Sequence, residues 1–454
     1  MRNWFVLFLV SLFSSAYSQE VINEYEIPDK HTFQDVELFS NGDSIIANMS
    51  LWFQGATQLK SYVLPPKGDL TALPTFRWTT RKDIIGSVPR PGGIKRMYYL
   101  NQEKKQFTIL ATDVNLEDRG WVHVPGNLVL EGKMLGMFTN KNEAVVFYYD
   151  KGTIHEIVLD GLTTSAKKSY ALPPSMSEVN IRDVTLCADG EHIGALQAKS
   201  FVKIFVSDEW ITAVHDHWGY GYKSVYTTVA RCERSSGKVI SRTIPTEGII
   251  SSTMLDTLLY RTKNSKSVFT LEVFGISSAK KIYEHKIESI PAHETQMVYL
   301  REGRANRIRK TESLKHMMHV MRFDTQFDPF VIAQHHGDST LITWGNYVDD
   351  NGMQGPAGLD PVAGMILMVV GTTAKQIRPG PGLSRYFYLT GNIKDGFTFK
   401  DKPDCVRTRI DLFEMDQQKN VEAKKYGYFN FKGDIIAIYY LPKKDKLKFV
   451  KFRV

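Results

Sequence analysis

The chain has 454 residues, 43% hydrophobic, 23% charged and 12% aromatic, which is enough apolar material for a large core and excludes a disordered or collagen-like chain. Its 57 basic and 49 acidic residues leave a formal net charge of +8. The bases cluster only in 301–310 and 443–453, so they read as a solvated face and give no nucleic-acid footprint.

In chain order, the first feature is a secretory signal over residues 1–18. Arg2 supplies the positive start, Trp4 to Phe13 is an apolar run, and Ala16-Tyr17-Ser18 fits small-x-small cleavage,. The mature chain then begins at Gln19, with an uncleaved anchor as the other reading. The apolar run is about half the ~20 residues a membrane span needs. No later segment reaches that length without charge, Gly or Pro, and the best, Val362 to Gly371, is also short. The expectation is a soluble exported protein, secreted or periplasmic, with no membrane span. Three cysteines, Cys187, Cys232 and Cys405, are too few for a disulfide framework and too far apart for a zinc site. Cys187 with Cys232 is the pair a single bridge would use; three buried thiols is the alternative. Asn48-Met49-Ser50 is a glycosylation acceptor sequence,.

From about residue 33 onward, short runs rich in Val, Ile, Tyr and Phe alternate with Gly, Asn, Asp and Pro turns, the pattern of strands,. Helical periodicity is nearly absent; Ser313 to Met321 is the clearest exception after the signal,. One phrase recurs: an apolar strand end, a tight turn carrying Gly or Asn, and a fresh apolar strand. It reads Phe39-Ser-Asn-Gly42-Asp-Ser-Ile-Ile-Ala47, Phe138-Thr-Asn-Lys-Asn142-Glu-Ala-Val-Val-Phe147, Leu186-Cys-Ala-Asp189-Gly190-Glu-His-Ile-Gly194, His336-Gly337-Asp-Ser-Thr-Leu-Ile342 and Phe431-Lys-Gly433-Asp-Ile-Ile-Ala437. Gly42 and Asn142 are 100 residues apart, with room for one further unit near Gly93 to Leu100, and Gly190 follows 48 residues later.

A period of 40 to 50 with short strands is the mark of a β-propeller, whose units cannot cover both sheet faces until neighbours stack on them. The copies resemble the WD-like repeats of Tol-pathway periplasmic propellers, whose turn reads Ser-Pro-Asp-Gly before an apolar strand. The likeness covers about ten residues per copy, lacks the Pro throughout, and implies architecture alone. The expected fold is all-β: a single β-propeller over residues 19–454, about seven blades within a range of six to eight, each a four-stranded antiparallel sheet, with insertions in 291–335 and 348–361. The terminal run Leu447 to Val454 is strand-like to its last residue. It is expected to pair with a strand from the first ~50 mature residues and close the ring; a free basic edge is the alternative.

Candidate site residues fall in two places. Trp210-Ile-Thr-Ala-Val-His215-Asp-His217-Trp218-Gly-Tyr220-Gly-Tyr222 gathers aromatics, a His-x-His and glycines. Aromatic faces stack on sugar rings, and alternate histidines on a strand point to one side. Packing between blades is the competing reading. His335 and His336 precede Gly337-Asp338, whose Gly-Asp shares the turn position of Gly42-Asp43 and Gly433-Asp434, leaving the histidines as the ligand candidates. Val348-Asp349-Asp350-Asn351-Gly352 lacks the closing Glu of a calcium loop, His316 and His319 beside Met317 and Met318 read as packing, and Arg378-Pro379-Gly380-Pro381-Gly382 reads as a rigid turn. There is no Gly-x-Ser-x-Gly elbow, His-Glu-x-x-His or Walker lysine,, so no metal or cofactor is expected. The expected function is a binding module presenting loops to a glycan, a peptide or an envelope protein. The alternative is a carbohydrate-active hydrolase or lyase with acids from the propeller funnel, and a third reading is a metal-dependent enzyme using His215 and His217.

Overall fold

The computed structural model describes residues 19–41, 44–64, 71–72, 76–78, 83–102, 106–115, 120–140, 143–177, 184–188, 202–218, 224–264, 268–287, 298–301, 328–349, 382–400, 424–431, 434–441 and 445–452. Apart from one helical turn, α1 (Pro174–Ser177), the regular structure is β. The first strand, β1 (Gln19–Glu26), belongs to a sheet completed only by the C-terminus. Sheet B holds β2 (Thr32–Asn41), β3 (Ser44–Phe53), β4 (Ala56–Leu64), β5 (Thr71–Ala72) and β6 (Phe76–Trp78). Sheet C holds β7 (Asp83–Arg90), β8 (Ile94–Gln102), β9 (Gln106–Asn115) and β10 (Gly120–Glu131). Sheet D holds β11 (Lys133–Asn140), β12 (Glu143–Asp150), β13 (Thr153–Asp160) and β14 (Thr163–Ala171). Sheet E holds β15 (Val184–Ala188), β16 (Val202–Val206), β17 (Trp210–Trp218), β18 (Val225–Glu233) and β19 (Val239–Thr246). Sheet F holds β20 (Ile249–Leu255), β21 (Leu258–Asn264), β22 (Phe269–Gly275) and β23 (Lys280–Ile287). Sheet G holds β24 (Val298–Arg301), β25 (Asp328–His336), β26 (Ser339–Asp349), β27 (Gly382–Asn392) and β28 (Gly396–Phe399). Sheet A is β29 (Lys424–Phe431), β30 (Asp434–Leu441) and β31 (Lys446–Phe452), completed by β1. The fold class is therefore all-β, a β-propeller with seven blade sheets among the described residues.

The chain divides into two compact units. One carries sheets A to D; the other carries sheets E to G. In the first unit the leading strands meet in turn, β29 with β2, β2 with β7 and β7 with β11. Adjacent sheets share their cores: A and B around Phe33, Met49, Leu447 and Phe449, B and C around Ile46, Met97 and Tyr99, and C and D around Phe107, Ile109, Val146 and Ile157. Each such side chain contributes roughly 1.5–3 kcal/mol by leaving water. Gly132, at φ +106, links sheets C and D, and a Cβ there would lie 2.3 Å from the Tyr149 carbonyl oxygen.

The expected closure is present. β1 runs antiparallel to β31, with Gln19 opposite Phe452 and Glu26 opposite Lys446. The basic run, which alone would form a bare edge, is neutralised across the pair: Lys446 meets Glu26 at 2.6 Å and Lys448 lies 3.8 Å from Glu24.

The repeated phrase marks the hairpin between the first two strands of sheets B, C, D, G and A. Two copies depart from the expected phase. In the last, Phe431 pairs with Asp434, so Asp434 is a strand residue held by Lys451 at 2.5 Å, whereas Asp338 stands in the turn after Gly337 at φ +57. The Leu186 copy leads into no hairpin with the next described strand, because β15 runs parallel to β16. The expected insertions, 291–335 and 348–361, lie mostly outside the described residues, as do Cys405 and the Ser313 to Met321 segment; their described parts are strands of sheet G, namely β24, most of β25 and the end of β26.

The Cys187–Cys232 bridge is not formed; both are buried free thiols. Two strands, β16 and β17, separate β15 from β18, and three strand spacings amount to about 14 Å, twice what a disulfide tolerates. Their register also puts them on opposite faces of sheet E. Burial pushes the Cys232 thiol up to about 11. We expect neither thiol to react with a bulky thiol reagent until the protein unfolds, and reduction to leave the unfolding midpoint unchanged. The Asn48 acceptor sequence falls in the middle of β3, paired on both sides, with Met49 and Ser50 buried.

Candidate functional site

β17 alternates in the way a strand between two packed layers must. Trp210, Thr212, Val214 and Asp216 share the face turned to sheet F, and Ile211, Ala213, His215 and His217 share the other. The register fixes their neighbours: Val214 lies opposite Lys203, Asp216 opposite Thr227 and Thr212 opposite Arg231.

Between sheets E and F these side chains form a buried polar network. Lys203 Nζ donates to the Ser252 carbonyl at 2.6 Å and lies 3.8 Å from Asp216 Oδ2. Asp216 accepts from the Ser252 N–H at 2.6 Å, the Ser252 hydroxyl at 2.7 Å and the Thr227 hydroxyl at 2.9 Å. Arg261 grips Glu272 through Nε at 2.9 Å and Nη2 at 2.7 Å, and its Nη1 donates to the Ile244 carbonyl. Lys281 adds a second cation to Glu272 at 3.4 Å. Burial holds the Lys203 ammonium below its ordinary pKa, with Asp216 opposing that shift. Both buried carboxylates are occupied by fixed donors and cations, an arrangement that holds two sheets in register and leaves neither oxygen pair free to move a proton.

At one end of this unit, exposed groups from all three sheets meet on a rim. It is built from the β16–β17 connection at 207–209, the Asp256-Thr257 hairpin, the loop 276–279 and the Gly337-Asp338 hairpin. Arg231 Nη1 donates to Ser277 Oγ at 2.6 Å, the Ile276 N–H to the Thr257 carbonyl at 3.0 Å, and His335 Nε2 lies 3.1 Å from an Asp256 oxygen. Trp210 sits on this rim beneath the Arg231 guanidinium, 4.0 Å from the ring centre.

The residues singled out from sequence are thus dispersed. Trp210, His335 and His336 are on the rim. His217 and Trp218 are at the far end of β17, roughly 24 to 27 Å away at ~3.4 Å per residue. Tyr220 and Tyr222 lie outside the described residues. His215 is buried on the face away from sheet F; burial lowers its pKa to about 4, with the Asp216 charge and the Ser175 backbone of α1 opposing the shift. The rings of His215 and His217 do come together, 5.9 Å apart, and His217 stacks on Tyr226 at 4.5 Å. Among the described residues no three His, Cys, Asp or Glu side chains are placed to share a metal.

Lys203, Arg231, Arg261 and Glu272 were not distinguished by any motif. Their signal is a lone charge inside an apolar strand, as in Val202-Lys203-Ile204-Phe205 and Leu271-Glu272-Val273-Phe274.

No protein-family model matches the chain, and no curated protein matches it. Solved structures give distant similarities. The β-propeller domain of the Trilobed protease from Pyrococcus furiosus aligns over 94% of both chains at 8% identity and a TM-score of 0.37. The Penicillium chrysogenum α-L-arabinanase complexed with arabinobiose covers 56% of this chain and 82% of its own, at 8% identity and 0.32. The GH93 α-L-arabinofuranosidase of Fusarium graminearum covers 81% and 97%, at 9% and 0.31.

Proposed function

We propose that the chain is exported, with residues 1–18 removed, and acts as a binding module for a glycan or protein ligand through the rim that carries Trp210, Asp256, His335 and His336. The observation behind this reading is the contrast between two sets of polar groups. Asp216 and Glu272 are buried and saturated, whereas Asp256 and His335, on the rim that also carries Trp210, keep 62% and 65% of their side-chain surface in water. Cleavage after Ser18 leaves β1 whole, and the closing strand then starts at the new N-terminus. Among the described residues no helix is long and apolar enough to cross a membrane.

The test is a glycan and peptide array probed with the protein lacking residues 1–18, in parallel with Trp210→Ala and His335→Ala. Capture of one ligand class, weakened about tenfold or more by Trp210→Ala, is expected for a central aromatic contact. Binding untouched by both substitutions would place the ligand elsewhere, and turnover of a polysaccharide would favour the hydrolase or lyase alternative.

A further inference from the structure

Four arginines among the described residues are each held by fixed acceptors. Arg96 holds Asp113 through Nε and Nη2, each at 2.7 Å, and Arg261 holds Glu272 through the same two nitrogens. Arg90 meets Asp160 at 3.2 Å, and Arg234 is turned into the carbonyls of Ser207 and Asp208. Arg231 has no ion-pair partner among the described residues. Its Nη1 is spent on Ser277, its face lies on Trp210, and its Nε is buried with no hydrogen bond. Desolvation moves its pKa below the ordinary value, opposed only by Glu209. A partly buried guanidinium whose Nε is covered and unbonded, with no carboxylate at ion-pair distance among the described residues, is an incomplete pair,.

We propose that Arg231 and Trp210 form a carboxylate subsite for an acidic saccharide, which rests on the rim being the ligand surface. The Nε–Nη2 edge offers the planar fork that Arg96 and Arg261 present to Asp113 and Glu272, a geometry matched to a carboxylate. A sugar acid places a flat ring beside the indole and a carboxylate beside the fork. Because Nε is covered, the side chain turns on the indole to present that edge, releasing Ser277. Asp208, Glu209 and Asp256 stand nearby on the rim, so the surface does not gather anions by net field. Selection rests on bidentate geometry, which favours a carboxylate on a ring over free inorganic anions.

Calorimetric titration of the full mature chain with an oligogalacturonate, the matching neutral oligogalactan, a peptide with a free terminal carboxylate, and sulfate tests this. The expected result is binding of the acidic sugar at least about tenfold tighter than its neutral counterpart, a difference abolished in Arg231→Gln and Arg231→Lys and kept in Ser277→Ala. Equal binding of acidic and neutral sugars, an Arg231→Gln affinity equal to the parent, or binding of the peptide or sulfate alone would each overturn it. Neutral-sugar binding that still depends on Trp210 would overturn the carboxylate subsite and leave the binding module standing. Binding of no probe at all would count against both. Arg231→Lys retains charge and stacking length, so the comparison survives if Arg231→Gln fails to fold.

Discussion

Asp216→Ala is expected to destabilise the three-sheet unit by about 3–5 kcal/mol, the usual result of stripping one partner from a buried ion pair. Lys203 and Asp216 are 1% and 3% exposed, so the cation left behind keeps only the Ser252 carbonyl and a long contact to Ser251. The Ser252 N–H and the hydroxyls of Ser252 and Thr227 lose their acceptor at the same time, and an orphaned buried donor costs about 1–3 kcal/mol. These losses overlap and do not sum. At about 2–4 °C per kcal/mol for a unit of this size the unfolding midpoint should fall by roughly 10 °C. The penalty has a pH signature. The Lys203 ammonium is already held below its ordinary pKa by burial. Without Asp216 the folded protein binds fewer protons there than the unfolded chain, and stability must rise with pH. The deficit of Asp216→Ala should therefore narrow as pH rises toward the ordinary lysine value of 10.5,. Lys203→Met with Asp216→Leu should recover the part of the loss due to the unpaired cation, while the Ser252 and Thr227 donors left without Asp216 keep the remainder,. A deficit below about 1 kcal/mol would mean that Lys203 is neutral in the fold and that Asp216 serves the hydroxyls alone.

Different parts of this structure were legible in the sequence for different physical reasons. Hairpin turns are local, so Gly42, Gly93, Asn142, Gly337 and Gly433 mark five of the seven described sheets. Sheet F escaped because its first hairpin is built from Asp256-Thr257, and the first described hairpin of sheet E from Ser207-Asp208-Glu209, both without the Gly or Asn of the phrase. The turn of the Leu186 copy, Asp189-Gly190, lies outside the described residues, and the next described strand, β16, runs parallel to β15. The strand that closes sheet A was readable because an apolar strand at a chain end must find an edge. The Cys187–Cys232 pairing failed because both sequence neighbourhoods look like core strands and only the strand order reveals the distance between them. The site was less legible. Trp210 and His335 could be picked out as unusual residues, but Arg231, Asp256 and Ser277 reach the same rim from three separate turns or strands, and the stacking of sheets decides which of them meet.

The second large effect concerns His215 and acid. The imidazole is 4% exposed, its Nδ1 has no hydrogen-bond partner, and burial outweighs the Asp216 charge and the Ser175 backbone to bring its pKa to about 4, with neighbouring His217 pushing the same way. In the unfolded chain the same group titrates near 6.5. Above pH 6.5 both states hold it neutral and nothing is lost. Between 6.5 and about 4 the unfolded state binds a proton that the native state refuses, so stability falls with falling pH throughout that window and levels off below it,. A shift of this size corresponds to about 3 kcal/mol across the whole window and about 2 kcal/mol at pH 5. His155 and His285 are also held below their ordinary values by burial, so a residual slope will remain in any single variant. His215→Leu should remove close to one proton from the pH dependence of urea unfolding between about pH 4 and 6.5,. Parallel curves for parent and variant would show that His215 takes up its proton in the native state, and that the face of sheet E behind β17 opens to water before the sheet unfolds.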